Sequence, residues 1–141
     1  MVSIETYKDN YKADWNNFVD SSKNSTFLFN RDFMDYHSDR FEDFSLMVYE
    51  KSELIALLPL NIIENKVYSH QGLSYGGLIV KNNIKFQKFL ELFIQILKYL
   101  NKKSVDKLFI KQIPLIYNSN FNGELDYLSF MTGCTIYRRD I

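Results

Sequence analysis

The stretch IKFQKFLELFIQILKYLN, residues 84–101, carries the clearest periodicity in the chain. Phe86, Leu90, Phe93, Leu97 and Leu100 recur at helical spacing, while Lys88, Glu91, Gln95, Lys98 and Lys102 fall on the opposite side. The spacing predicts a long amphipathic helix laid with one stripe against a sheet. Upstream, FSLMVY (44–49) and LIALLPLNII (54–63) are rich in residues that suit strands, and the short polar EKSE (50–53) between them reads as a hairpin turn. Pro59 has no N–H to give a ladder, so the second strand is expected to bulge or break there. ENK (64–66) turns tightly into VYSH (67–70), and QGLSYGG (71–77) then holds three of the chain's five glycines, the mark of a loop with special backbone angles.

Further out, Ile4 to Tyr7 suits a short opening strand. Asp9 or Asn10 is placed to cap a helix carrying Tyr11, Trp15, Phe18 and Val19 on one face. SSKNS (21–25) breaks that helix, TFLF (26–29) runs extended, and Asn30 caps a second short helix carrying Phe33, Tyr36 and His37. After the long helix, 105–113 reads as a strand ending at Pro114, 123–132 as a short helix stopped by Gly133, and 134–137 as a last strand. No internal repeat, charge block or linker divides residues 1–141, which are expected to form one domain.

Composition narrows the function classes. The 141 residues are 46% hydrophobic and 24% charged, so a disordered or fibrous chain is excluded. Seventeen Lys plus Arg offset seventeen Asp plus Glu. Nothing global draws the chain to DNA, although Lys98, Lys102, Lys103 and Lys107 form a possible local basic patch. A single cysteine, Cys134, with two histidines supplies neither an internal disulfide nor a four-ligand zinc site. No apolar run is long enough to span a bilayer and no secretory signal opens the chain, so the expectation is a cytoplasmic protein without membrane insertion.

The order strand, helix, helix, antiparallel strands, glycine loop, long helix, strand, short helix, strand resembles the GNAT acyltransferase fold, an α+β architecture with a mixed, mainly antiparallel sheet flanked by helices. Trp15 with Phe18, STFLFNRDFMDYHSDRF (25–41), IALLPLN (55–61) and SHQGLSYGGLIV (69–80) are similar to the N-terminal half of the two-domain, Fem-like (FemAB-type) acyltransferases found with bacterial surface-polysaccharide genes. YRRDI (137–141) resembles the segment leading into their second GNAT-like half. The resemblance implies an N-acyltransferase domain, incomplete on its own, acting on an amino group of a nucleotide-linked sugar or cell-envelope precursor. It further implies acetyl-CoA or another acyl-CoA as donor, bound only together with a second GNAT-like domain, or else an aminoacyl-tRNA.

Candidate site residues cluster at the glycine loop. Gln71, Gly72, Ser74, Gly76 and Gly77 let a ligand approach backbone N–H groups. A plain structural turn is the alternative. The spacing departs from the GNAT pyrophosphate loop, which reads Gln or Arg, two residues, Gly, one residue, Gly or Ala, directly before a helix. Here Ser74 stands three after Gln71, and LIV (78–80) intervenes. His70 suits a general base for an amine, because imidazole titrates near neutral pH, or is a hydrogen-bonding loop residue. Tyr75 suits a proton donor to the leaving group, or packing. Arg31, Asp32, Asp35, Tyr36, His37, Asp39 and Arg40 make a polar cluster in which Asp32 and Tyr36 share a helix face. It either lines an acceptor pocket or is a solvated surface, the reading that alternating charge favours. Cys134 reads as a buried thiol, and Arg138 with Arg139 as partners of acids or of a further domain. The competing functional class is a non-catalytic module that pairs with a second domain or a second copy; a self-contained acetyltransferase would need its own coenzyme site.

Overall fold

The computed structural model describes residues 2–22, 29–37, 40–70 and 76–110. β1 (Val2–Thr6) leads through a single 3-10 turn, Asp9–Tyr11, into α1 (Lys12–Ser21). The side-chain cap expected at Asp9 or Asn10 is not used. The turn instead closes with Tyr11 N–H donating to the Lys8 carbonyl at 2.9 Å and runs straight into the helix. Trp15, Phe18 and Val19 are buried as their spacing predicts.

α2 (Arg31–Met34) starts where expected, with the Asn30 side chain accepting the Asp32 N–H at 2.9 Å. Arg31 and Met34 turn inward, whereas Phe33 and Tyr36 are 45% and 79% exposed. Two bonds from α1 set this rotation: Trp15 Nε1 donates to the Phe29 carbonyl, and Asn16 Oδ1 accepts the Arg31 N–H, each at 2.7 Å.

The remaining strands are β2 (Glu42–Asp43), β3 (Leu46–Glu50), β4 (Glu53–Leu58), β5 (Asn61–Ile63), β6 (Lys66–Tyr68), β7 (Ile79–Val80) and β8 (Lys107–Phe109). β3 and β4 form the expected hairpin, with a register irregularity at Val48/Tyr49. The run 54–63 breaks at Pro59 into β4 and β5. The Ser45 hydroxyl fills the gap in the ladder, accepting from Leu60 N–H at 3.1 Å and lying 3.3 Å from its carbonyl. The strands form two sheets, ordered β1-β3-β4-β7 and β2-β5-β6-β8. Among the described residues the strand pairings are antiparallel except β6 with β8, which run parallel, joined through α3 (Phe86–Lys102). The architecture is therefore α+β, mainly antiparallel, with helices on its faces.

β6 and β7 both pair with the single run 53–63, β6 with β5 and β7 with β4. The chain thus leaves the ladder after Tyr68 and rejoins it at Ile79, with 58–60 unpaired on that side between, among the described residues. α3 packs over Leu46, Val48, Ala56, Val67 and Val80 in the larger core, while α1 and α2 cover Met47, Leu57 and Ile79 on the other face. The buried stripe of α3 is Phe89, Leu92, Phe93, Ile96 and Leu100, turned from the expected one. Leu97 is exposed and Leu90 only partly buried, and Lys88 pairs with Glu50 at the end of β3. The strand expected over 105–113 is confined to β8 within the described residues. The helix read at 123–132, the strand at 134–137, Cys134, Arg138 and Arg139 lie outside them.

Candidate functional site

A buried polar cluster gathers where α2, β2 and the end of β6 meet. Arg31, only 3% exposed, stacks its guanidinium 3.8 Å from the Tyr7 ring centroid and 5.0 Å from that of Trp15. Its Nη2 pairs with Asp35 at 2.8 Å, and Nη1 lies 3.4 Å from Asp43 Oδ1 and 3.5 Å from Ser45 Oγ. The Ser45 hydroxyl donates to Asp43 Oδ1 at 2.9 Å. Two aromatic faces offset the cost of desolvating the guanidinium, and two carboxylates neutralise it. Arg31 therefore does not belong to the solvated surface that the charge alternation of 31–40 suggests.

His70 joins this cluster. It is 5% exposed, and its Nε2 lies 3.6 Å from Asp43 Oδ1, with the Phe41 ring edge-on at 5.8 Å. Its backbone is left-handed, φ 50°, and its N–H donates back to the Tyr68 carbonyl at 2.7 Å, so β6 ends there abruptly. Burial pushes the Asp43 carboxyl up, but the His70 imidazole, the Arg31 guanidinium and the Ser45 hydroxyl outweigh it and hold it below the usual carboxylate range. The result is an imidazole set against an ionised carboxylate, the arrangement that orients a base.

The other anticipated residues divide as follows. Gly76 and Gly77 stand just before β7, and Gly76 packs against Ser69 at the end of β6. A Cβ on Gly76 would fall within contact of the Ser69 carbonyl and 2.9 Å from Ser69 Cβ, and Gly77 takes φ 123°. Gln71, Gly72, Ser74 and Tyr75 lie outside the described residues. Tyr36 is exposed and away from the cluster's interior. Asp43 and Ser45 escaped the sequence reading, since a polar residue at alternate strand positions looks solvent-facing; only their alternation into the FSLMVY run hints otherwise. Among the described residues no three His, Cys, Asp or Glu side chains gather as a metal site, and no helix is long and apolar enough to cross a membrane.

The geometry also tests a coenzyme cradle. The space a glycine leaves at 76 is filled by the chain's own Ser69, and the segment directly before α3, KNNIK (81–85), has no glycine. The described residues do not fit a pyrophosphate loop at the helix entrance.

No family model and no curated protein matches this chain. Solved structures do. It superposes on the ribosomal-protein-S18-alanine N-acetyltransferase from Escherichia coli with a TM-score of 0.52 at 12% identity, over 77% of this chain and 64% of that one. It superposes on the PaiA N-acetyltransferase from Thermoplasma acidophilum, solved in complex with coenzyme A, with a TM-score of 0.53 at 14% identity, over 94% of this chain and 88% of that one. The chain thus spans under two thirds of the E. coli enzyme's length. The fold is that of the GNAT acetyltransferases.

Proposed function

We propose that this chain is the acceptor-binding GNAT-type domain of an N-acyltransferase of the Fem-like kind, acting on an amino group of a nucleotide-linked sugar or cell-envelope precursor. One observation carries the reading. His70 leaves the sheet at the carboxyl end of its parallel pair, β6 and β8, joined through α3. A strand–helix–strand crossover opens a crevice at that end, where unpaired backbone groups and the following loop meet a ligand. His70, oriented by Asp43, takes the proton of the acceptor's ammonium group and frees its lone pair for attack on the acyl carbon. Tyr75 remains the proposed proton donor to the leaving group. Because 81–85 does not fit a coenzyme cradle, no step is assigned to coenzyme A here. The donor is held together with a second GNAT-like domain.

Acetyl transfer to a uridine-diphosphate-linked amino sugar by the native gene product, followed by mass spectrometry of the nucleotide sugar, tests this. His70→Gln lowers kcat by about 10²–10⁴-fold if the imidazole is the base; unaltered turnover overturns that role. Acetyl-CoA added to the 141-residue chain alone leaves its Tm unchanged. A rise of roughly 5–15 °C, as linkage gives at about 100-fold Kd for a chain of this size, would instead mark a self-contained acetyltransferase.

A second reading, a partner-pairing module, draws on the exposed Ile94 and Leu97 of α3. Concentration-dependent association in light scattering, lost in Leu97→Lys, would favour it.

A further inference from the structure

Asp43, Ser45 and Met47 alternate along the run from β2 into β3, so their side chains leave it on one face, the face that α1 and α2 cover. Met47 fills the apolar cluster there, whereas Ser45 brings a hydroxyl to a fully buried position. A buried hydroxyl has to place one proton and two lone pairs. Donors meet the lone pairs: Leu60 N–H reaches Ser45 Oγ at 3.1 Å and Arg31 Nη1 lies 3.5 Å from it. The proton has two acceptors in reach, the Leu60 carbonyl at 3.3 Å and Asp43 Oδ1 at 2.9 Å. The carboxylate is nearer and charged, so it takes the proton. The Ser45 N–H lies 3.4 Å from the other oxygen, Oδ2. One residue thus holds both oxygens of Asp43. Ser45 is itself fixed from two sides, because its carbonyl accepts Tyr7 N–H at 2.8 Å while its hydroxyl accepts Leu60 N–H. The carboxylate cannot turn without giving up these contacts, and so held it presents Oδ1 to His70 Nε2, 3.6 Å away.

We propose that Ser45 is a positioning residue for the imidazole: through Asp43 it fixes which nitrogen of His70 carries the proton. An N–H facing an ionised carboxylate is favoured over a lone pair facing it. Neutral His70 therefore holds its proton on Nε2 and its lone pair on Nδ1. A gap of 3.6 Å is longer than a hydrogen bond, and contacts of this kind tighten when substrate binds. A carboxylate already held lets the gap close without first finding its orientation. The catalytic value of this role rests on the reading of His70 as the base given above.

NMR of the imidazole nitrogens tests it, in protein carrying isotopically labelled histidine, with His37→Gln to assign the two rings. Spectra are taken at about pH 8.5, well above the ordinary histidine range. Wild-type protein gives the Nε2–H pattern for His70, and the Nδ1–H pattern instead overturns the role without any variant. Ser45→Ala gives a mixture of the two tautomers, and Ser45→Thr, which keeps the hydroxyl, restores the single pattern. Leu92→Ala, which loosens the core under α3, leaves the pattern unchanged; a change there as large as that of Ser45→Ala would make the effect a general loosening and overturn the role. In acyl transfer by the native gene product, Ser45→Ala lowers kcat about tenfold and leaves KM within about twofold, as a misaligned base does. A changed tautomer with kcat unaltered in both Ser45→Ala and His70→Gln keeps the hold of Ser45 on the imidazole and overturns the base reading. An unchanged tautomer in Ser45→Ala, with kcat lost in His70→Gln, overturns the role of Ser45 and leaves the base reading standing.

Discussion

Arg31 shows how a single residue is held where its charge is least welcome. Its guanidinium is flanked by Tyr7 and Trp15 and paired with Asp35 and Asp43. Removing it as Arg31→Met leaves two carboxylates without their cation, and stability falls by about 3 kcal/mol in urea unfolding; a loss below about 1 kcal/mol would mean the cluster is solvated after all. Asp43 adds a pH dependence with a definite sign. Its folded pKa is depressed, so its contribution is fully present above the ordinary carboxylate pKa and is lost as pH falls through the folded value. Between about pH 5 and 2 the wild type therefore loses stability faster than Asp43→Asn, and parallel curves would show that Asp43 gains nothing from its neighbours. Gly76 is the other sensitive position. Any Cβ there meets backbone at Ser69, so Gly76→Ala costs about 1–3 kcal/mol and loosens the contact between the ends of β6 and β7.

At the level of elements, the long helix separates what periodicity reveals from what it conceals. Residues 84–101 announce a helix, yet the stripe read from spacing puts Leu97 in the core, and the structure exposes it while burying Leu92 and Ile96. The apolar residues of α3 are wider than one narrow stripe, so periodicity fixes helix type but not rotation; that is set by packing on sheet residues distant in sequence, such as Leu46, Val48 and Ala56. Leu92→Ala accordingly costs about 2–5 kcal/mol and Leu97→Ala under about 1 kcal/mol in the same unfolding assay, and equal losses would restore the first stripe. The strand break at Pro59 and the cap at Asn30 were legible because each follows from one residue's own chemistry. His70 was legible as a candidate for the same reason. Arg31, Asp43 and Ser45 were not, because their partners come from α2, β2 and the β4–β5 junction, and no local pattern records that meeting.

Across the whole molecule, the two sheets differ in how they are roofed. The sheet β1-β3-β4-β7 lies between α3 on one face and α1 with α2 on the other. The sheet β2-β5-β6-β8 shares α3 but has β6 and β8 outside the second cluster. Among the described residues the strands of the first sheet bury Leu46, Met47, Val48, Ile55, Ala56, Leu57, Leu58, Ile79 and Val80 and those of the second bury Val67, so the second has fewer apolar contacts to break on opening and forms the less stable cooperative unit. His70, the proposed base, follows β6 of that second sheet. Native-state hydrogen exchange then gives the Val48 and Leu57 amides protection close to the global unfolding free energy, and gives Val67 and Leu108 less. Equal protection of the two sheets would mean that opening is global and that the second sheet is no separate cooperative unit.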